Sequence, residues 1–431
     1  MRRKSIIAAV LGIAIFSYLG WRLVRPLEIF SVSKRFEYPL STRRVPPPLA
    51  SLSAAACGTC HTAIYREWST SMHAHAWTDP YFQTDYRADG SRQICLNCHT
   101  PLDRQQKFKV LGFHGADHWD PVLAPNPQFE PALQRQGVSC AACHVRHGVV
   151  YGPFAGIHAP HPVARWGNDN EACVRCHVVN NRHRDVFYRL PPCGTVAEIH
   201  ATQKRVASGT RVAGLAPQIP KPPAPVYPGA DGYGAGVTAR GAGTLGCVQC
   251  HMPSVDRPLV PGGPVLPGRR HLWRGGHDPR MVAAALRITF APAAAPAPGQ
   301  RRYVLTITDT GAEHDIPTGV PDRHLTVDLR VLDAAGHILR SQSHRLERHI
   351  LWRPFIVELR DTRLQPGQPR RYSIRFAIRS RPRPASVEAV VRYWLMDPSH
   401  RAQLHYHGLV SYVVYRKLIP LTVVAAGGGS S

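Results

Sequence analysis

Five segments of the chain place two cysteines three positions apart with a histidine directly after the second. They are CGTCH at Cys57–His61, CLNCH at Cys95–His99, CAACH at Cys140–His144, CVRCH at Cys173–His177 and CVQCH at Cys247–His251. At this composition chance would supply about 0.02 copies. Thiols one helical turn apart reach the two vinyl groups of a haem, and the histidine after them falls beneath the iron as its proximal ligand. Zinc sites and C-x-x-C redox pairs use the same thiols but have no need of an invariable histidine after the second. The expectation is five covalently attached c-type haems, held through Cys57, Cys60, Cys95, Cys98, Cys140, Cys143, Cys173, Cys176, Cys247 and Cys250. The proximal iron ligands are then His61, His99, His144, His177 and His251. Ten of the eleven cysteines are consumed, and Cys193, in LPPCGTV, is read as a buried or idle thiol.

A low-spin electron-transfer haem takes a second axial ligand. The chain has 24 histidines but only five methionines, Met1 among them, so bis-histidine ligation is expected for most irons. Position selects the distal candidates. His73, with His75, lies in SMHAHAW after the first motif; His158 and His161 flank a proline turn after the third; His271 and His277 sit in RRHLWRGGHDP just past the fifth. His118, His147, His183 and His200 stay open.

The elements that must position these residues can be read from patterning. A length of 431 residues implies about two or three domains. With 44% hydrophobic and 19% charged residues, neither wholesale disorder nor a polytopic membrane protein fits. Arg2, Arg3 and Lys4 precede 17 uncharged residues, Ser5 to Trp21, just within the spanning range. The next residues are bulky (LVRPLEIF) and contain no small-x-small site, which favours an uncleaved signal anchor, residues 1–25, over a cleaved peptide. Haem attachment to such motifs occurs outside the cytoplasm. The expected location is therefore the inner membrane, single-pass, with the bulk of the chain in the periplasm.

A Pro- and Ala-rich linker, 26–56, leads to the haem segment, 57–280. Its 224 residues allow about 45 per haem, too little protein to surround each ring, so the haems themselves are expected to act as core. Only short helices are visible there, such as Thr62–Ser71 and Asn170–Val178. Ser208–Gly246 is rich in Pro and Gly and reads as a surface loop. From 281 to 425 the pattern changes to period two: RYVLTITDT, LTVDLRVLD, HILRSQSHRLE, FIVELRD, RRYSIRFAIR and SVEAVVRYWLM, separated by turns such as AAG and QPGQP. About seven such strands point to a β-sandwich of immunoglobulin-like type without haem. Residues 426–431 form a disordered tail. The fold class is thus multidomain: one transmembrane helix, an α/irregular multihaem domain and a C-terminal sandwich.

CGTCHTAIYREWSTSMHAHAW is similar to the opening of the tetrahaem cytochrome c of ammonia-oxidising bacteria, and GVSCAACHVRHG to that family's third motif. The wider group includes hydroxylamine oxidoreductases and pentahaem nitrite reductases, with a shared haem packing. The resemblance covers about Ala56 to Val178. It implies that His73 crosses to the iron of the fourth motif, that His158 or His161 serves the first, and that the haem of the second motif has an open distal side. The fifth motif and the strand region depart from the tetrahaem pattern and resemble other membrane-anchored multihaem cytochromes. HDIPTGVPDRHL, His314–Leu325, resembles a recurring segment of their C-terminal domains; on its residues alone it reads as a turn containing Gly319.

Two functions are weighed. One is electron transfer through five haems between a membrane donor and a periplasmic or outer acceptor; the other is a haem-based oxidoreductase acting on nitrite or hydroxylamine at one five-coordinate haem. No C-x-x-C-K replaces a C-x-x-C-H and no crosslinking tyrosine can be located, which favours a carrier over a catalyst. The net charge of +25 divides into +7 for residues 1–56, +8 for 57–280 and +10 for 281–431. Propionates of five haems would offset about 5 to 10 charges, bringing the haem segment near neutrality. The remaining basic excess fits an anionic membrane face and an acidic redox partner protein, and nucleic acid does not fit this compartment.

Overall fold

A computed structural model describes residues 2–24, 37–114, 120–154, 156–166, 171–177, 194–207, 246–295, 297–351, 354 and 357–421. Cys193, His118, His183, nearly all of the expected loop at 208–246 and the 426–431 tail lie outside these residues. The chain divides into two compact units. One comprises Met1–Ala197, Thr318–Pro321 and Arg348–Thr362; the other comprises Glu198–Pro317, Asp322–Glu347 and Arg363–Ser431. Motifs one to four fall in the first unit, and the fifth falls in the second with the long strands.

In the first unit, α1 is Arg2–Val24. Within it Lys4–Val24 is long and apolar enough to cross a membrane or to be a signal sequence. Ile7, Phe16 and Val24 are among its exposed apolar side chains. Four short helices come next: α2 (Ala54–Gly58), α3 (Thr62–Ser69), α4 (Pro80–Ala88) and α5 (Gln93–His99). Ser53 caps α2 by accepting from the Ala56 amide, and Asp79 caps α4 ahead of a proline in its first turn. A hairpin of β1 (Phe108–Phe113) and β2 (Pro121–Pro125) leads to α6 (Pro131–Gln134) and α7 (Cys140–His144). Strands β3 (Val145–Arg146), β4 (Val149–Gly152) and β5 (Val163–Arg165) form a small sheet before α8 (Glu171–His177). Of the two helices expected from the sequence, the one at Thr62 ends two residues early, at Ser69, and Glu171–His177 lies within the other's expected span.

Among the described residues of this unit apolar packing is sparse, with one cluster of Leu52, Leu102, Leu133, Ala141, Ala142 and Val145. Buried amides supplement it. Gln105, fully buried, donates from Nε2 to the carbonyls of Leu133 (2.9 Å) and Gly137 (2.7 Å), and its Oε1 accepts from the Leu102 amide at 3.0 Å. Gln106 donates to Asn97 Oδ1 (3.1 Å) and the Thr100 carbonyl (3.0 Å), while Asn97 donates to the Glu37 carbonyl (3.0 Å). Asn97 is one of the two variable residues of the second motif. A motif fixed by satisfied buried amides is rigid without an apolar core of its own.

The second unit contains most of α9 (Thr195–Ala207), then α10 (Cys247–His251), the hairpin β6 (Ser254–Pro258) with β7 (Val265–Arg269), and α11 (Pro279–Ala285). Beyond it β8 (Leu286–Ala293), β9 (Gln300–Asp309) and β14 (Arg370–Ala377) make a three-stranded sheet in the order β14-β9-β8. A four-stranded sheet runs β11-β10-β15-β16, from β10 (His324–Leu332), β11 (Ile338–Leu346), β15 (Ser386–Trp394) and β16 (Ser411–Pro420). All neighbours in both sheets are antiparallel. Alternation builds the core: Leu325, Val327, Leu329 and Val331 of β10 are buried with Tyr303, Leu305 and Ile307 of β9 in one cluster, while Thr326, Asp328 and Arg330 face the other way. Five of the six period-two segments read from the sequence lie in these two sheets, HILRSQSHRLE among them as β11. The sixth, FIVELRD, is β13 (Val357–Asp361), which pairs with β12 (Arg348–Leu351) in the first unit. β8 and β16 are the long strands that the pattern did not reveal.

Candidate functional site

Each motif is folded as a helical turn, which brings its two thiols to one side and the histidine just below. In α5, α7, α8 and α10 the turn lies inside the helix. In the first motif α2 ends at Gly58, and the turn is completed by His61 N donating to the Cys57 carbonyl at 2.9 Å. None of the ten motif cysteines is disulfide-bonded. Burial pushes the Cys95 thiol up to about 12 and the Cys143 thiol up to about 11. Among the described residues no three His, Cys, Asp or Glu side chains converge as they would around a metal ion bound by side chains alone.

The imidazoles are oriented from behind. His99 Nδ1 lies 2.7 Å from the Ala76 carbonyl, His144 Nδ1 2.6 Å from that of Tyr151, and His251 Nδ1 2.6 Å from that of Arg274. An Nδ1–H donated to a carbonyl leaves the lone pair on Nε2, the form that binds a metal. Desolvation lowers the pKa of His99 to about 4 and also lowers that of His144, which keeps both rings neutral. Phe82 of α4 lies flat on the His99 ring, centroids 3.5 Å apart and planes 7° apart, and fixes its rotation.

The motifs of the first unit are drawn together in twos. The thiols of Cys57 and Cys140 hydrogen-bond to each other, joining the first and third motifs. Those of Cys98 and Cys176 do the same for the second and fourth, and Cys98 Sγ also lies 3.8 Å from the Cys176 carbonyl. Gly137, at φ +57°, lets the chain before the third motif pass the His73 segment: a Cβ there would meet the His73 carbonyl at 2.6 Å. Val138 N donates to that same carbonyl at 2.9 Å. The segment from His73 to Ala76 is thus held from the third motif's side while it holds His99 of the second.

His61 and His161 face one another with ring centroids 6.5 Å apart and planes at 48°. A metal–imidazole bond is about 2 Å and a ring nitrogen stands about 1.1 Å from its centroid, so two imidazoles across one iron have centroids about 6.2 Å apart. Nδ1 of His161 is buried without a hydrogen-bond partner. That deficit costs about 1–3 kcal/mol. Neutral anchored imidazoles, thiols at turn spacing outside any disulfide and a second imidazole at this distance are the donor set that a covalently held haem requires, and the residues fit the group.

Of the other distal candidates, His73 is half-buried, and His75, His147 and His158 are exposed. His271 Nδ1 lies 2.9 Å from the Arg269 carbonyl, with its ring edge-on to Trp273. His277 is half-buried, and its Nε2 accepts from Arg323 Nη2 at 3.3 Å; desolvation first and the guanidinium second lower its pKa to about 3. The ring that faces His251 belongs to His314, which the sequence offered only as part of a turn. A histidine preceding Asp-Ile-Pro was the available signal, but nothing in the sequence tied it to a motif 63 residues earlier.

The family model "Cytochrome c554 and c-prime" matches residues 56–122, which hold the first two motifs. A penta-heme cytochrome c552 from Thermochromatium tepidum superposes with a TM-score of 0.55 at 18% identity, over 86% of this chain and 98% of that one. The fold is that of a multihaem cytochrome c. The share of this chain that superposes is far larger than the span of the family match. A putative beta-galactosidase from Bacteroides fragilis is similar over 33% of this chain and 16% of its own, at 13% identity and a TM-score of 0.17. No curated protein matches the sequence.

Proposed function

We propose that the chain is a membrane-anchored c-type cytochrome that carries electrons through five covalently attached haems, from a donor in the membrane to an acceptor in the periplasm. The observation that carries this reading is the repeated build of the motif: five C-x-x-C-H turns, three of them with the proximal imidazole locked onto a backbone carbonyl. When bound, haem supplies a one-electron ferric/ferrous couple whose potential is set by axial ligands and surroundings. The chain's residues do the rest. Cys57, Cys60, Cys95, Cys98, Cys140, Cys143, Cys173, Cys176, Cys247 and Cys250 form the thioethers, and His61, His99, His144, His177 and His251 take the proximal positions.

The thiol contacts between Cys57 and Cys140 and between Cys98 and Cys176 start the attached groups from adjacent points, as a relay needs. Neutral His99 and His144, shielded from water, hold their metal-binding form across the physiological pH range. Helix α1 serves as the anchor. The two sheets of the second unit form an immunoglobulin-like β-sandwich, and the basic excess there meets an acidic redox partner.

The test is expression in a host with c-type haem maturation, then haem stoichiometry on denatured chain and fractionation of membranes. Five haems that resist acid extraction, on protein retained by the membrane, support the reading. A count other than five, or haem released by acid, refutes it.

A further inference from the structure

The strands of the second unit reach the fifth motif through one side chain. Resting on the haem reading above, we propose that His314, from the connection between β9 and β10, is the distal axial ligand of the iron whose proximal ligand is His251. The ring centroids of His251 and His314 are 6.4 Å apart and their planes differ by 12°. This is close to the separation of about 6.2 Å for two imidazoles across one iron. It is also nearly twice the 3.5 Å of the Phe82–His99 stack in the same molecule, so the two rings are not simply packed face on face.

Both rings are set in the same tautomer by their surroundings. His251 Nδ1 faces the Arg274 carbonyl at 2.6 Å, and His314 Nδ1 faces the Asp315 carbonyl at 3.1 Å. In each the lone pair then resides on Nε2.

The backbone bearing His314 is built to stay where it is. Ile316 exchanges both backbone hydrogen bonds with Leu364, at 2.9 and 3.0 Å. Asp315 accepts from Arg363 Nη2 at 3.3 Å, and the buried Arg363 also donates to Glu198 Oε1 at 2.6 Å and to the Pro317 carbonyl at 3.0 Å. At the other end Asp309 Oδ1 accepts from the amides of Gly311 (3.2 Å) and Ala312 (2.9 Å). A connection with only a turn to make has no need of a buried guanidinium bonded to three of its neighbours. A ligand on a loop does, because it must hold its position to within a fraction of an ångström. Of the two histidines nearest the fifth motif in sequence, His277 has its Nε2 turned to Arg323, and the ring of His271 stands edge-on to Trp273.

The experiment is carried out on the holoprotein, comparing wild type with His314→Ala and His314→Met by haem count, electron paramagnetic resonance and carbon monoxide titration. The wild-type ferric spectrum must contain a low-spin signal of the rhombic kind given by near-parallel imidazoles; its absence overturns the proposal. In His314→Ala five haems remain attached, that signal disappears, one haem becomes high-spin, and the ferrous form takes up one additional equivalent of carbon monoxide. Five attached haems with all low-spin signals intact overturn the assignment. His314→Met restores six-coordination with the charge-transfer band of a thioether–iron bond, and this decides the matter should the alanine variant fail to mature. A His314→Met protein with five haems and no such band also overturns it. A wild-type chain that carries no haem at the fifth motif fails the haem reading instead, which the count on denatured protein registers separately.

Discussion

Replacing His161 by alanine tests the geometry of the first motif. The His61–His161 centroid distance of 6.5 Å is close to that expected of two rings on one iron, and the 48° between their planes differs from the 12° of the fifth-motif pair. Removing one ligand from one iron in five should therefore convert about a fifth of the low-spin intensity to high-spin and open about one site per chain to carbon monoxide. The identity of the lost signal matters more than its size. Oblique imidazoles give a more axial low-spin spectrum than near-parallel ones, so His161→Ala must remove a different component from the one that His314→Ala removes. Exogenous imidazole added to the variant should restore the lost component, because the space vacated is that of an imidazole. Spin quantification at low temperature on protein of known haem count is the assay. Loss of the same component in both variants, or an unchanged spectrum in His161→Ala with five haems attached, would refute the reasoning that reads ligation from ring separation.

Packing and charge give three further outcomes. Gln105→Ala strands one amide and two carbonyls inside the first unit, and should lower the stability of the holoprotein by about 3 kcal/mol in denaturant titration; a loss below about 1 kcal/mol contradicts the role given to the amide. For Asp397, burial alone would raise the pKa, but hydrogen bonds from Ser399 and Arg345 outweigh it and bring the pKa from 3.8 down to about 2. Its stabilisation is therefore present above about pH 4 and is lost as pH falls toward 2; Asp397→Asn should flatten acid unfolding in that window, by about 1 kcal/mol or less because the group is partly exposed. Reduction of an acidic partner should slow as ionic strength rises, and salt-independent stopped-flow rates would contradict the docking of a basic surface.

The chemistry was more legible than the architecture. The C-x-x-C-H repeats are local: attachment needs only one turn of helix, so the residues that make it are adjacent and can be read without knowing the fold. The strands were legible for the same reason, since Leu325, Val327, Leu329 and Val331 alternate within one element. β8 was hidden because its outer residues, Ala291, Pro292 and Ala293, break the alternation. β16 was hidden because it is an edge strand with few buried side chains. Distal ligands are the opposite case. An axial histidine is defined by where the chain returns to the far side of a ring, and that is fixed by tertiary pairing rather than by nearby sequence.

His271 and His277 show how proximity in sequence misleads. Both lie within 26 residues of His251, yet the ring of one stands edge-on to Trp273 and the other gives its Nε2 to Arg323. His314 is 63 residues away, and it arrives opposite His251 because Asp315, Arg363 and the Ile316–Leu364 exchange fix the connection after β9. The same logic separates the two halves of the chain. In the first unit the apolar cluster is small and buried amides supplement it, so the attached rings must supply much of the packing. In the second, a full apolar core of alternating strands exists without them. Removing attachment at Cys57 and Cys60 should therefore disorder the first unit, whereas the same change at Cys247 and Cys250 should leave the sheets folded. Hydrogen exchange on the two double-alanine variants distinguishes these outcomes: protection lost in β9, β10 and β15 of the fifth-motif variant would mean that the strands depend on the haem after all.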